Sequence, residues 1–537
     1  MHKIFGKEEI LTILEKRLDG FKKGYRQNIA LIGRPNTGKT FIIQRLLANA
    51  DCSQILPIAL ELNGRSLKQL IRIFTGQILR HFLKTQGIDA ASDLTHLIEK
   101  SQAFLPKTIA KIKSIEHNLD KDKKRLALLE TFDLPQAFFE EANIPCLVIL
   151  DEFQQLGGLG VEDIFIELGK KIPLHKNTMY LIASSSTIKA REILSQGLSL
   201  LFGNFEVIEV KPFTISVSGK FIDMHLPQQI SETYKKFLIY ISSGHPFYLD
   251  ILCRELTLAA SEDKNSSITE NLFIRAFENL LFEEWGIFYQ KFIDILDQLS
   301  SDKQREDHIA ILSGIIRGYN KVKTIAEYLG NKEKNIQQRL ARLCENGIIF
   351  KNGDFLCLAD KLFGFWIESA YNKKFGFDYF DENALRENFK ESLLNTMNNF
   401  SVVSEKALIE RIIGLFNLFK NEVIQFDRKK IVLSHFKEIS LLPINTGSFN
   451  ALISAKAQDS FWVIAVKNGE LTEKDVAYFI SECKRFKGQV SQRRIIISLD
   501  KIDTNAKLKA LEGKIIAWEA PELNSLLELY NQPIIFA

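Results

Sequence analysis

At 537 residues the chain exceeds what one hydrophobic core organises, so three or four domains are expected. Apolar residues are 46% and charged residues 25%, the balance of a soluble globular chain, and a net charge of +4 is too small to argue for nucleic acid by itself. Six scattered cysteines (Cys52, Cys146, Cys253, Cys344, Cys357, Cys483) without a C-x-x-C pair fit reduced thiols in a cytoplasm and argue against a disulfide scaffold or a zinc site, while the absence of an apolar signal core in Met1–Glu8 and of any run of about 18 uncharged apolar residues predicts no membrane span.

In chain order, Ile29-Ala30-Leu31-Ile32 reads as a strand. It enters Gly33-Arg34-Pro35-Asn36-Thr37-Gly38-Lys39-Thr40, a complete G-x-x-x-x-G-K-[ST] loop, and the helical pattern Phe41–Leu47 leaves it. Strand, loop and helix in this order form a phosphate-binding loop. Its glycines let backbone N–H groups wrap the β- and γ-phosphates of a nucleotide, Lys39 neutralises phosphate oxygens, and the Thr40 hydroxyl ligates Mg²⁺.

Ile55–Leu62 is a second strand, ending at Asn63. Residues 68 to 140 read as helical and charged, notably Lys107–Leu128; a solvated helix face is the expectation, with a partner surface as the other reading. Cys146-Leu147-Val148-Ile149-Leu150 is continuously apolar, as a strand buried on both faces should be. It ends in Asp151-Glu152: Asp151 holds the Mg²⁺ water shell beside Thr40, and Glu152 polarises the attacking water as general base. The alternative is that the pair simply caps a helix. Asn63 is a secondary candidate for tuning Glu152. Met179–Ser184 and Phe205–Val210 complete a strand–helix alternation that implies a parallel sheet with helices on both faces and ligands at the carboxyl ends of the strands. Ser185, just past one such end, is either a γ-phosphate sensor or a helix cap.

Residues 216 to 300 carry helical periodicity and contain Ser243-Gly244-His245-Pro246-Phe247-Tyr248-Leu249, where Pro246 suits a first helical turn. Residues 303 to 370 carry a helix-turn-helix pattern: Lys321–Leu329, a turn at Gly330-Asn331, and Glu333–Glu345 with an apolar face of Ile336, Leu340 and Leu343. The other face offers Lys334, Asn335, Gln338, Arg339 and Arg342, types able to meet phosphates and base edges of double-stranded DNA. Gly347–Leu358 reads as a hairpin wing with an Asn-Gly turn. A structural or protein-binding module is the competing reading. Residues 371 to 435 read as helical. Phe449–Ala455 and Phe461–Lys467 then read as paired strands, followed by a helix over Thr472–Phe486 and by strands at Arg494–Leu499 and Lys514–Trp518.

Taken together, these motifs resemble a family. Ile4-Phe5-Gly6-Lys7-Glu8-Glu9-Ile10 is similar to the F-x-G-R-E-x-E opening box of the archaeal-type ATPases. These belong to the STAND class of P-loop switches and are relatives of the AAA+ origin-recognition ATPases. The phosphate loop, Leu150-Asp151-Glu152, Ala183-Ser184-Ser185-Ser186 and Gly244-His245-Pro246 follow in the family's order, over roughly residues 1 to 370 and more weakly beyond. The resemblance implies ATP and Mg²⁺ as ligands, Phe5 at the nucleotide, a helical lid, and His245 as a sensor of nucleotide state (a capping or core histidine being the alternative). Asp360–Ile367 resembles the family's D-x-L-F-R-F-W exit from the winged helix. Two departures stand out. Lys7 replaces an arginine. In Leu201-Phe202-Gly203-Asn204, similar to the L-[YF]-G-R box, Asn204 stands where a guanidinium would stabilise phosphoryl-transfer charge, so hydrolysis is expected to be slow, to need a partner's arginine, or to use Lys211 or Arg191.

The C-terminal order resembles the restriction-endonuclease-like core of the PD-(D/E)XK nucleases. Here the Asp position is Asn450 and the Glu position Ala465, leaving Lys467 alone; Asp459 and Glu470 are remote substitutes. Without both carboxylates the site cannot hold a divalent metal, so nuclease activity is not expected and DNA or protein binding is. The expected fold is therefore α/β: a P-loop ATPase domain over 1–215, a helical lid over 216–300, a winged helix over 301–370, a helical connector over 371–435, and a degenerate nuclease-like α/β domain over 436–537. The expected function is a cytoplasmic ATP-hydrolysing switch, the alternative an ATP-stabilised DNA-binding or scaffold protein with little turnover.

Overall fold

The computed structural model describes residues 5–49, 54–90, 93–198, 205–299, 302–375, 381–426, 429–444, 448–486 and 491–536, with side chains at 302–304 and 375 excepted. The chain divides into two compact units, Met1–Phe221 with His245–Tyr248, and Ile222–Gly244 with Leu249–Ala537. Among the described residues no helix is long and apolar enough to cross a membrane. Cys146, Cys253, Cys344 and Cys483 are free thiols; Cys52 lies outside the described residues.

The first unit is built on a parallel sheet of β1 (Asn28–Ile32), β2 (Leu56–Glu61), β3 (Cys146–Asp151), β4 (Thr178–Ser184) and β5 (Phe205–Glu209), in the order β2-β3-β4-β1-β5. The continuous apolar runs at β1, β3 and β4 occupy the three central positions and are buried throughout; β5, at an edge, is not. Alternation along the strands splits the core in two. Ile29, Leu31, Leu147, Ile149 and Leu181 face α1 (Glu8–Lys22) and α2 (Lys39–Asn49). Ala30, Ile32, Val148, Leu150 and Ile182 face α3 (Leu67–Thr85), α4 (Leu94–Ser101), α5 (Pro106–Asp120) and α6 (Lys124–Ala142). The charged stretch Lys107–Leu128 is thus more than a solvated face. Ile109, Ile112 and Ile115 of α5, and Ala127, Leu128 and Phe132 of α6, sink into this second core at helical spacing, each large side chain contributing about 1.5–3 kcal/mol.

In the second unit the helix Glu232–Ser242 ends in Ser243 and Gly244, both at positive φ. Helices Ile287–Leu299 and Lys361–Trp366 pack through Phe292, Phe363 and Trp366. Helices Val322–Tyr328 and Glu333–Glu345 precede a hairpin of β6 (Ile349–Asn352) and β7 (Phe355–Leu358). The helical reading of 371–435 needs correction. Helices Glu382–Glu405 and Leu408–Asn417 are followed by a hairpin of β8 (Glu422–Phe426) and β9 (Lys429–Leu433). Its alternation of apolar and polar residues is that of a half-buried strand pair: Ile424 and Leu433 enter the core while Lys429 and Lys430 stay in solvent. The final sheet runs β10 (Phe436–Leu442), β11 (Ala451–Ala457), β12 (Phe461–Lys467), β13 (Gln492–Ser498) and β14 (Ile515–Trp518), in that order. The first two pairings are antiparallel and the last two parallel. Trp462, Ile464 and Val466 fill one face of it, Phe461, Val463 and Ala465 the other.

Candidate functional site

β4 lies between β1 and β3, with Ile32 opposite Ser184 and Asp151 opposite Ala183. Three segments therefore emerge side by side at the carboxyl edge: the loop 33–40, Ser184-Ser185-Ser186, and Asp151-Glu152. Gly33 seals the loop to the sheet. Its N–H donates to Ser184 O (3.2 Å), and a Cβ there would stand 2.3 Å from Val210 O, so no other residue fits. Asn36 turns through the left-handed region (φ 58°) and Thr37 Oγ1 donates to Arg34 O (2.9 Å). α2 starts at Lys39, so the free N–H groups of its first turn face the loop. Lys39 Nζ is buried and curls back to donate to Gly33 O and Arg34 O, both at 2.8 Å. Burial lowers its pKa, with the charges of Glu152 and Asp151 acting against that.

Thr40 Oγ1 donates to Asp151 Oδ2 at 2.6 Å. Burial raises the Asp151 pKa and the Glu152 charge adds to this; the Thr40 bond and Lys39 oppose it. A hydroxyl and a carboxylate side by side are the hard oxygen donors that suit Mg²⁺, which keeps most of its waters and takes one or two protein ligands. These two residues fit that ion.

Glu152 sits at φ 56°, ψ 45°, a left-handed conformation for a residue with a Cβ; such strain costs on the order of 1–3 kcal/mol. Its N–H donates to Asp151 Oδ1 (3.0 Å) and its carbonyl accepts from Gln155 N (2.9 Å). The side chain makes no capping bond to the short helix Phe153–Gly158. Instead Oε2 accepts from Ser185 N (3.0 Å), Ser185 Oγ (2.7 Å) and Gln154 Nε2 (2.6 Å). Ser185 does not cap the next helix; Ser186 holds that position. Asn63 is exposed and is not among the donors to Glu152 in the described residues. Gln154 was not singled out by the sequence; the left-handed turn at Glu152 is what accompanies its approach to that carboxylate.

His245 is buried and donates from Nε2 to Pro35 O at 2.8 Å, its ring tilted against Tyr248 at 4.7 Å. Phe5 packs edge-on against Phe213 and Phe221 at 5.9 and 5.6 Å. Lys7 Nζ donates to Lys211 O and lies 5.1 Å over the Phe213 ring; burial pushes its pKa down to about 8. Arg191 pairs with Glu209 at 3.6 Å. Asn204 lies outside the described residues.

In the second unit, Ile336, Leu340 and Leu343 are buried while Lys334, Gln338 and Arg342 are exposed. Arg339 is half-buried and spans to Asp307 Oδ2 at 2.5 Å. The β6–β7 turn is docked on β8. Asp354 N donates to Val423 O (2.9 Å), Val423 N to Asp354 Oδ2 (2.7 Å) and Gln425 N to Asn352 Oδ1 (2.7 Å). Gly353 (φ 61°) permits the approach, since a Cβ there would meet Val423 O at 1.9 Å. In the last sheet Asn450 Oδ1 accepts from Asn468 N (2.6 Å) and Ala465 is buried. Lys467 Nζ bonds Asp475, which also accepts from Thr472 N and Oγ1 at 2.8 and 2.7 Å. Asp459 and Glu470 are exposed.

No protein-family model matches the chain, and no curated protein matches it. Solved structures similar to it include a Walker-type ATPase of Pyrococcus abyssi (17% identity, TM-score 0.49, covering 68% of this chain and 96% of that one). Others are the Aeropyrum pernix ORC2 protein in its ADPNP–ADP complexes (13%, TM-score 0.40, 74% and 96%) and the Thermotoga maritima RuvB Holliday junction branch migration motor (12%, TM-score 0.32, 70% and 96%). At these scores they are likenesses and no more.

Proposed function

We propose that the chain is a Mg²⁺-ATP-dependent molecular switch that hydrolyses ATP and couples nucleotide state to a winged-helix module and a nuclease-like module. The observation that carries this reading is the 2.6 Å bond from Thr40 Oγ1 to Asp151 Oδ2, made across an intervening strand beside Lys39 and Glu152. Mg²⁺, when bound, supplies charge neutralisation at the phosphate oxygens. Lys39 exchanges its two carbonyl partners for phosphate oxygens, and the loop N–H groups hold the β- and γ-phosphates. Glu152 accepts the proton of the attacking water. Ser185 senses the γ-phosphate: its hydroxyl carries one proton and cannot serve Glu152 and the phosphate together. His245 reads the position of the loop through Pro35 O, and Phe5 contributes to the nucleotide pocket.

The helices Val322–Tyr328 and Glu333–Glu345 with the β6–β7 hairpin form the winged helix in this reading. Double-stranded DNA is contacted by the exposed Lys334, Gln338 and Arg342, whereas Arg339 is half-buried beside Asp307 and the wing tip is docked on β8. The last domain is nuclease-like in fold without nuclease activity; Lys467 serves the start of helix Glu473–Cys483 through Asp475.

The test is phosphate release from Mg²⁺-ATP by wild type and Glu152→Gln, with and without double-stranded DNA. Loss of turnover in Glu152→Gln with nucleotide binding retained supports the hydrolysing switch, and stimulation by DNA supports the winged-helix role. Tight ATP binding without turnover in wild type favours the second reading, an ATP-stabilised DNA-binding or scaffold protein. Asn204, in place of an arginine, motivates that reading.

A further inference from the structure

We infer that Gln154 positions the attacking water, an inference that rests on the ATPase reading above. Gln154 Nε2 lies 2.6 Å from Glu152 Oε2. A carboxylate oxygen only accepts, so this contact settles which way the amide faces: NH₂ toward Glu152, carbonyl away from it. The carbonyl oxygen, Gln154 Oε1, is buried and has no hydrogen-bond partner among the described residues. A buried acceptor left in that condition is costly, and native chains rarely keep one without a use. Glu152 shows the matching asymmetry. Its Oε2 takes all three donors given above, from Ser185 N, Ser185 Oγ and Gln154 Nε2. Oε1 takes none among the described residues.

The pair thus offers two acceptors, Glu152 Oε1 and Gln154 Oε1, on side chains joined to each other. The ligand with two donors and the size to use both is water. Held this way, water has one O–H on the carboxylate and the other on the amide carbonyl, leaving its lone pair to approach the γ-phosphorus. The lone pair forms the new O–P bond. The bond from that phosphorus to the β,γ-bridging oxygen breaks, and its electron pair leaves with ADP. One water proton passes to Glu152; the other stays on the inorganic phosphate. Gln154 takes no proton. It keeps Oε2 fixed when the single Ser185 hydroxyl proton turns to the γ-phosphate.

The experiment compares phosphate release and fluorescent-ADP affinity for the full chain as wild type, Gln154→Leu, Gln154→His and Glu152→Gln. Gln154→Leu removes donor and acceptor, so kcat is expected to fall about 10–100-fold, with KM and ADP affinity within about twofold. Gln154→His restores one donor and one acceptor on a ring and is expected to recover at least about tenfold of a full loss. A merely structural residue would move affinity along with kcat and gain nothing from His. Turnover of Gln154→Leu within about twofold of wild type, with Glu152→Gln inactive, overturns the inference and leaves the ATPase reading standing. Turnover retained in Glu152→Gln removes the base itself and both readings with it. If Gln154→Leu fails to bind ADP, Gln154→Met carries the same expectation and the same refutation.

Discussion

Thr40 and Asp151 stand 111 residues apart in sequence and share a 2.6 Å hydrogen bond from the threonine hydroxyl to the aspartate carboxylate. The bond joins the first turn of α2, which follows β1 through the loop, to the end of β3, past the intervening β4. It stabilises a carboxylate that burial otherwise disfavours and holds the hydroxyl and the carboxylate side by side.

Replacing that carboxylate separates ligand binding from folding. Burial raises the Asp151 pKa, so the folded chain binds this proton more tightly than the unfolded chain. The ionised carboxylate is then a stability cost at neutral pH that fades as pH falls through the folded pKa. Asp151→Asn is expected to raise Tm at pH 7 by about 2–4 °C, with the gain shrinking toward acid pH. The same variant is expected to lose Mg²⁺-dependent enhancement of ATP affinity. Calorimetric scans across pH, paired with nucleotide titrations with and without Mg²⁺, check both.

Lys7 gives an alkaline signature. Burial holds its ammonium at about 8, against an ordinary 10.5, and Lys291 is held at about 8 in the same way. Between those values the unfolded chain carries the proton and the folded chain does not. The contribution of these two lysines is expected to rise by roughly 1–3 kcal/mol from pH 8 to 10.5, with their burial penalty at its full size below pH 8, while the buried thiols of Cys146, Cys253 and Cys483, which the fold holds protonated, act in the opposite direction above pH 9. Lys7→Met removes its share of that slope, which denaturant titrations at pH 7.5, 8.5 and 9.5 would reveal.

At Gly33 a methyl group has nowhere to go: Val210 O would lie at 2.3 Å and Thr37 Oγ1 at 3.0 Å. Gly33→Ala is expected to cost about 1–3 kcal/mol in stability and to weaken ATP binding at least tenfold by displacing the loop from β5. A variant that binds ATP as wild type does would show that the loop tolerates the shift.

On the helix Glu333–Glu345 the basic side chains differ in exposure: Lys334 and Arg342 are exposed and Arg339 is half-buried. Lys334→Ala with Arg342→Ala is expected to weaken double-stranded DNA binding and to reduce its salt slope by about two. Arg339→Ala removes a half-exposed pair with Asp307 and is expected to change stability by less than about 1 kcal/mol, leaving the salt slope in place. Fluorescence anisotropy over a salt series distinguishes the two.

What was legible in the sequence was whatever a short window carries. The strands at 28–32, 146–151 and 178–184 carry the apolar runs Ile29–Ile32, Cys146–Leu150 and Met179–Ala183 because both faces are buried, and the loop, Asp151 and Glu152 stand out in the sequence by motif and by position at a strand end. The hairpin at β8–β9 was hidden because Lys429 and Lys430 interrupt its apolar face and the preceding 24-residue helix sets a helical context. Gln154 was hidden for another reason. Its meaning depends on Glu152 adopting a left-handed backbone, which folds the two side chains together. The ion pair of Arg339 with Asp307, 32 residues earlier, was not legible because nothing local marks it.

The left-handed backbone of Glu152 sets two demands against each other. Glycine or asparagine would sit there with less strain than glutamate. Either would also leave Ser185 N, Ser185 Oγ and Gln154 Nε2 without the shared acceptor they have now. Selection for heat tolerance alone at position 152 would therefore weigh relief of backbone strain directly against three lost hydrogen bonds, and the residue that survives would show which of the two the fold values more.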